Sequence, residues 1–156
     1  MKSNKNWVLV AAQGGAKIYS VSNREKDLHL LEQVDNQEGR LKKGEIVSDH
    51  SGSAAHSRFS GSAHFDKLES AKDHLNQVFA QRIMHKLDQA RKENLFQKLI
   101  IVADPGFGPF LKHSMGAELE KTIFEFIPKN YLSLSISELG QNLKERIVAS
   151  LGDQSR

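Results

Sequence analysis

The chain contains no cysteine, three prolines, one tryptophan and two tyrosines in 156 residues. Without cysteine there are no disulfides, no thiolate metal ligands and no cysteine nucleophile. Long apolar runs are missing as well. The longest, Trp7 to Ala12, covers six residues. A membrane span needs ~18–20 and a secretory h-region about 7–15. We therefore expect a cytoplasmic protein without membrane association. Charge of one sign is scarce too: 22 Lys+Arg face 19 Asp+Glu, a net +3. Split at residue 78, the halves hold 11 basic against 10 acidic and 11 against 9, so neither a basic tail nor an acidic arm exists. What is present, 38 % hydrophobic and 26 % charged residues, fits a folded chain. At ~100–200 residues per core, residues 1–156 read as one domain.

Trp7 to Ala12 has the length and continuity of a central strand covered on both faces. Gln13-Gly14-Gly15 follows, and Ala16 to Val21 alternates, so the pair reads as a hairpin. Leu28 to Val34 is a third strand. Helical spacing of three and four links Leu75, Val78, Phe79, Ile83, Leu87 and Ala90. Lys98 to Ala103 is a strand, and the turn Asp104-Pro-Gly-Phe-Gly-Pro109 leads into short helical segments reaching Glu120. Thr122 to Ile127 is a fifth strand. Ser135 and Glu138 form a capping box, behind which Leu139, Leu143, Ile147 and Leu151 recur every four residues. The expected architecture is α/β: three antiparallel strands, then helix-strand-helix-strand-helix around a mixed five-stranded sheet.

Residues 35–71 differ. They are rich in serine, glycine and histidine and lack hydrophobic periodicity. Ser51-Gly-Ser-Ala-Ala-His56 and Ser60-Gly-Ser-Ala-His64 nearly repeat, each with a phenylalanine close behind (Phe59, Phe65). A structureless stretch beyond ~12–15 residues is usually functional or disordered, so we expect a long flexible loop here.

The element order is that of ribonuclease H-like nucleases, whose two-metal chemistry needs converging carboxylates from central strands. The first strand has no acid, and Asp104 and Glu125 find no partner from the centre, so that reading fails. His50, His56, His64 and His74 match no compact ligand spacing, and His74 and His85 stand three turns apart on a helix. No metal or cofactor is expected. Asp49-His50-Ser51 suggests a serine nucleophile, but adjacent residues seldom form a triad and no Gly-x-Ser-x-Gly elbow occurs. The turn at Asp104, with Gly106 and Lys112, lies where α/β sheets bind anions; the same residues serve an ordinary turn. Arg40, Lys42, Lys43 and Arg58, with Phe59 and Phe65, offer phosphate contacts and stacking to RNA, diluted by Glu38, Glu45 and Asp49.

Five segments, in order, resemble the bacterial host-attachment protein family. Trp7-Val-Leu-Val-Ala-Ala-Gln-Gly-Gly-Ala-Lys-Ile-Tyr19 is similar to its opening W-V-L-V-A-D-G-A-R-A-R-I-F. Ser48-Asp49-His50-Ser51-Gly52 resembles its S-D-R-P-G. Val78-Phe79-Ala80 matches part of its E-R-F-A-R-E-L-A helix. Leu99 to Leu111 resembles L-V-L-V-A-P-P-R-F-L-G-x-L-R, and the region from Ile127 to Leu139 its K-D-L-T…E-L segment. The family is named for attachment to host cells. The resemblance further implies kinship with the ribonuclease H-like middle domain of archaeal and eukaryotic peptide-chain release factors. Their Gly-Gly-Gln loop is absent from 35–71, and Gln13-Gly14-Gly15 reverses the order within a hairpin. Ala12 and Asn130 replace family aspartates, and His50 replaces an arginine.

These readings lead to a non-enzymatic protein that binds RNA or the ribosome through its long loop. The candidate surface comprises Arg40, Lys42, Lys43, Asp49, His50, Arg58, Phe59, Asp104, Gly106 and Lys112. A protein-interaction adaptor is the alternative, and a small hydrolase using Asp49, His50 or a loop serine the third reading. Oligomeric state is not legible in the sequence. Limited proteolysis should cut within 36–66 before it touches the sheet or 75–91; first cuts inside 75–91 would contradict this organisation.

Overall fold

The computed structural model describes residues 5–22, 27–36 and 61–152, with side chains from residue 70 onward in the last stretch. Five strands form one sheet: β1 (Asn6–Ala12), β2 (Gly15–Val21), β3 (Leu28–Asp35), β4 (Lys98–Ala103) and β5 (Ile123–Ile127). The helices are α1 (Gly61–Lys92), α2 (Gly108–Ser114), α3 (Ala117–Glu120) and α4 (Ile136–Gly152). The spatial order is β3-β2-β1-β4-β5. β1 pairs antiparallel with β2 and parallel with β4, β2 antiparallel with β3, and β4 parallel with β5. The expected mixed α/β sheet is present.

β1 is central, and its continuous apolar sequence answers to that position: Val8, Leu9, Val10 and Ala11 are fully buried. Strand alternation divides them between two cores. Trp7, Leu9 and Ala11 join Phe79, Ile83, Leu87, Phe107 and Leu111 beneath α1 and α2. Val8 and Val10 join Tyr19, Val21, Ile100 and Val102 beneath Leu139, Leu143, Ile147 and Leu151 of α4. The layers are therefore helix, sheet, helix. Burial also raises the Tyr19 phenol above its ordinary value, because a low-dielectric core disfavours tyrosinate.

The close approach of β3 needs glycine at position 15 of β2, where a Cβ would fall 2.9 Å from the Val34 carbonyl oxygen of the adjacent strand. Two expectations about α1 require correction. The helix begins at Gly61, and Asp35 belongs to β3, so the stretch expected as loop, 35–71, is strand at one end and helix at the other. Helix propagation is favourable once a strong segment has nucleated. No proline lies between 61 and 92 to stop it, and Leu68 extends the spacing of Leu75 and Phe79. Val78 is exposed rather than core-facing, the inward positions being taken by Asn76, Phe79 and Ala80.

Helix ends follow local chemistry. α1 stops in a Schellman arrangement, with Leu95 N–H donating to the Ala90 carbonyl (3.0 Å) and Asn94 N–H to that of Arg91 (3.0 Å). Asn94 takes the left-handed conformation at φ 60°, which asparagine tolerates better than other non-glycine residues. The capping box is as expected: Ser135 N–H donates to Glu138 Oε1 (3.0 Å) and Glu138 N–H to Ser135 Oγ (3.1 Å). Ser135→Ala should lower unfolding free energy by about 1 kcal/mol. Asn94→Val should cost about 1–2 kcal/mol while Asn94→Gly costs nothing. Denaturant melts of the three variants check both statements.

Candidate functional site

β1, β3, β4 and β5 run in one direction, so their carboxyl ends share one edge of the sheet, where α/β folds commonly place ligands. There the backbone N–H of Asp104 donates to the Ala11 carbonyl (3.0 Å), fixing the end of β4 to β1. The Asp104 carboxylate turns back on its own loop, accepting from Gly106 N–H at 2.9 Å. Its carbonyl accepts from Phe107 and Gly108 N–H, both at 2.8 Å. The amides that an anion would use are therefore engaged, and a carboxylate stands among them. This is the geometry of an ordinary turn, and α2, with seven residues, adds only a short dipole.

Lys112 is committed elsewhere. Its ammonium sits 4.5 Å from the centroid of the Phe126 ring, a cation–π contact. Gly108 lets α2 reach that ring, since a Cβ would meet Phe126 Cε1 at 3.3 Å. The other seven candidates, Arg40, Lys42, Lys43, Asp49, His50, Arg58 and Phe59, lie outside the described residues.

The Gln13 side chain lies beside the β4 turn, its Nε2 3.8 Å from where a Gly106 Cβ would stand. Asn36, buried beyond β3, donates through Nδ2 to the Gln13 carbonyl at 2.8 Å. Next to them opens a cleft of about 460 Å³, bordered by Lys17, Gln33, Asp35, Asn130 and Ser133. Lys17 Nζ donates to the Leu132 carbonyl across it (3.0 Å), so its ammonium braces the crossing from β5 to α4. Among the described residues no group of three or more His, Asp or Glu side chains is placed to hold a metal ion. On α1, Asp88 is held below its usual carboxylate value by the hydrogen bond from Arg91, a surface pairing remote from this edge.

A second concavity, of about 570 Å³, lies between β3 and α4. Asp27, Leu28 and His29 form one wall, and Ile136, Gly140, Lys144 and Val148 the other. Ile136 and Val148 remain 45 % and 41 % exposed, and Leu30 and Leu31 on β3 44 % and 49 %. The sequence pattern missed this face, because α4 reads as one apolar stripe and the exposed side of β3 follows from its edge position alone. It also missed the buried tie at the opposite end. Asn6 Nδ2 donates to Ser150 Oγ (3.1 Å) and Lys98 Nζ to the Ser150 carbonyl (3.1 Å), locking α4 to β1 and β4.

A family model described as "Protein required for attachment to host cells" matches residues 7–143. The chain belongs to that family. Among curated proteins none matches it. In this host-attachment protein no helix among the described residues is long and apolar enough to cross a membrane. Since the Asp104 carboxylate serves its own turn, Asp104→Ala should lower stability by about 1 kcal/mol. Titration of the wild type with inorganic phosphate should show no saturable binding that the substitution abolishes.

Proposed function

We propose that this host-attachment protein acts by binding a protein partner through the β3–α4 face. One observation carries the reading. Of the six large hydrophobic side chains that stand exposed among the described residues, four (Leu30, Leu31, Ile136 and Val148) belong to these two elements. Exposed apolar side chains concentrated on two neighbouring elements are the mark of an interaction surface, whereas single scattered ones need no explanation. β3 is an edge strand, and its pairing with β2 shifts register between Ile18 and Tyr19. Such an irregularity blunts the edge against indiscriminate strand pairing, which suits a surface that selects its partner by side chains.

A second reading has its own support in the sequence: Arg40, Lys42, Lys43 and Arg58, with Phe59 and Phe65, form a basic and aromatic set suited to RNA. Association with RNA or the ribosome, and kinship with the ribonuclease H-like release-factor domain, belong to this reading. The order of three antiparallel strands, helix, strand, helix, strand and helix supports that kinship.

Affinity purification from the native cell, with and without nuclease, separates the two. Proteins that stay bound after nuclease treatment and are lost from a Leu30→Glu, Leu31→Glu variant support the first reading. Loss of all bound material on nuclease treatment, with the variant behaving as wild type, would overturn it in favour of RNA.

A further inference from the structure

The sheet is five strands wide, roughly 19 Å at ~4.8 Å per strand, and a packed helix covers about 10 Å of it. α1, α2 and α3 share one face, whereas α4 packs on the other. Its buried side chains, Leu139, Leu143, Ile147 and Leu151, cluster with Val8, Val10, Tyr19, Val21, Ile100 and Val102 of the three inner strands, and with Leu28 of β3 and Ile127 of β5. Alongside it, toward β3, runs the 570 Å³ groove.

The wall that α4 contributes is a ridge of four residues at steps of four: Ile136, Gly140, Lys144 and Val148. Ridges of this spacing are the surfaces by which helices interdigitate. Their order is self-complementary. About a two-fold axis midway between Gly140 and Lys144, Ile136 faces Val148 of the second copy and Gly140 faces its Lys144. Apolar ends meet apolar ends, and the longest side chain meets the shortest. No atom lies within 4 Å of a Cβ built on Gly140, so there is room above it for a lysine stem, whose methylenes pack while the ammonium reaches outward. The groove also has one carboxylate, Asp27, on its β3 wall and the ammonium of Lys144 on its α4 wall; in a two-fold pair each charge can meet its opposite on the second copy. A two-fold interface uses the same patch on both subunits.

We propose that the occupant of this groove is a second copy of the chain, joined through antiparallel α4 ridges. The proposal rests on the reading above that this face binds protein, and names the partner at its helical half. Leu30 and Leu31, which do not line the groove, remain for a different protein.

The absence of native cysteine allows a clean test of register. A disulfide requires Cα atoms within about 7 Å. In the proposed pairing residues 136 and 148 of different copies are neighbours, whereas two copies of either position lie on the order of 18 Å apart along the helix. Under mild oxidation, a mixture of full-length Ile136→Cys and Val148→Cys chains should form a linked dimer at least tenfold in excess of either chain alone. Sedimentation equilibrium should show a wild-type dimer, and Gly140→Leu should weaken it at least tenfold. That exchange places leucine in open space on a helix, so circular dichroism and thermal melting should show an intact fold. A wild-type monomer, equal linking in the single-variant samples, or an unchanged dimer in folded Gly140→Leu would each overturn the proposal. If it falls while nuclease-resistant proteins still bind through Leu30 and Leu31, the protein-binding reading survives; if that binding is absent too, both fall.

Discussion

The two hydrogen-bonded ladders of β1 carry the rest of the molecule. Val8 pairs with Tyr19 on one side and Ile100 on the other, and Leu9 with Ile18 and Ile101. A strand paired along both edges and covered on both faces has its backbone polar groups satisfied, so its side chains are apolar from Trp7 to Ala12 and its one polar member, the buried Asn6, is hydrogen-bonded to Ser150. The same ladders impose direction. Because β4 runs parallel to β1, the chain must cross over between them, and α1 lies on the return path. The carboxyl ends of β1 and β4 are thereby brought together, with the Asp104 N–H on the Ala11 carbonyl closing the edge.

A sheet built outward from β1 ends in β3 and β5, and the two edges are finished differently. Phe124 and Phe126 of β5 are overlaid by Lys98 and Lys112, and Arg146 of α4 reaches Glu125 at 3.2 Å. On β3, Glu32 is paired with Lys86 at 2.7 Å, yet Leu30 and Leu31 stay about half exposed. α4, tied at its far end by Asn6, Lys98 and Ser150, meets β3 through the buried Leu28 and borders a groove beside it. A member of a family named for attachment to host cells thus carries, among the described residues, exposed apolar side chains on β3 and on the helix packed beside it. In the groove itself Asp27 and His29 stand on one wall and Lys144 on the other.

Much of this was legible in particular residues. The Gly14-Gly15 turn, the continuous run from Trp7 to Ala12 and the Ser135/Glu138 box each encode their structure within a few positions, and each formed. The start of α1 was not legible. Ser62, Ala63 and His64 carry no helical periodicity by themselves, and their state depends on the stable turns that follow. Val78 and Phe79 are both apolar, and which one faces inward depends on where the helix meets the sheet. The Asp104 turn was read with two outcomes open; what the sequence could not give was the hydrogen bond from Gly106 N–H to its carboxylate. For Lys112, charge suggested an anion, but the facing Phe126 ring lies 14 residues away and belongs to another element.

The sequence by itself determined the elements and their order, because hydrophobic period, turn glycines and capping side chains act over three or four residues. It also determined that no disulfide or thiolate site exists, since the residue for them is missing. Only the tertiary structure decided which edge of the sheet stays open, what occupies the Asp104 turn, and that Ile136, Gly140, Lys144 and Val148 border a groove rather than a core. Those features are set by distances between segments far apart along the chain, and neither pattern nor composition encodes such distances.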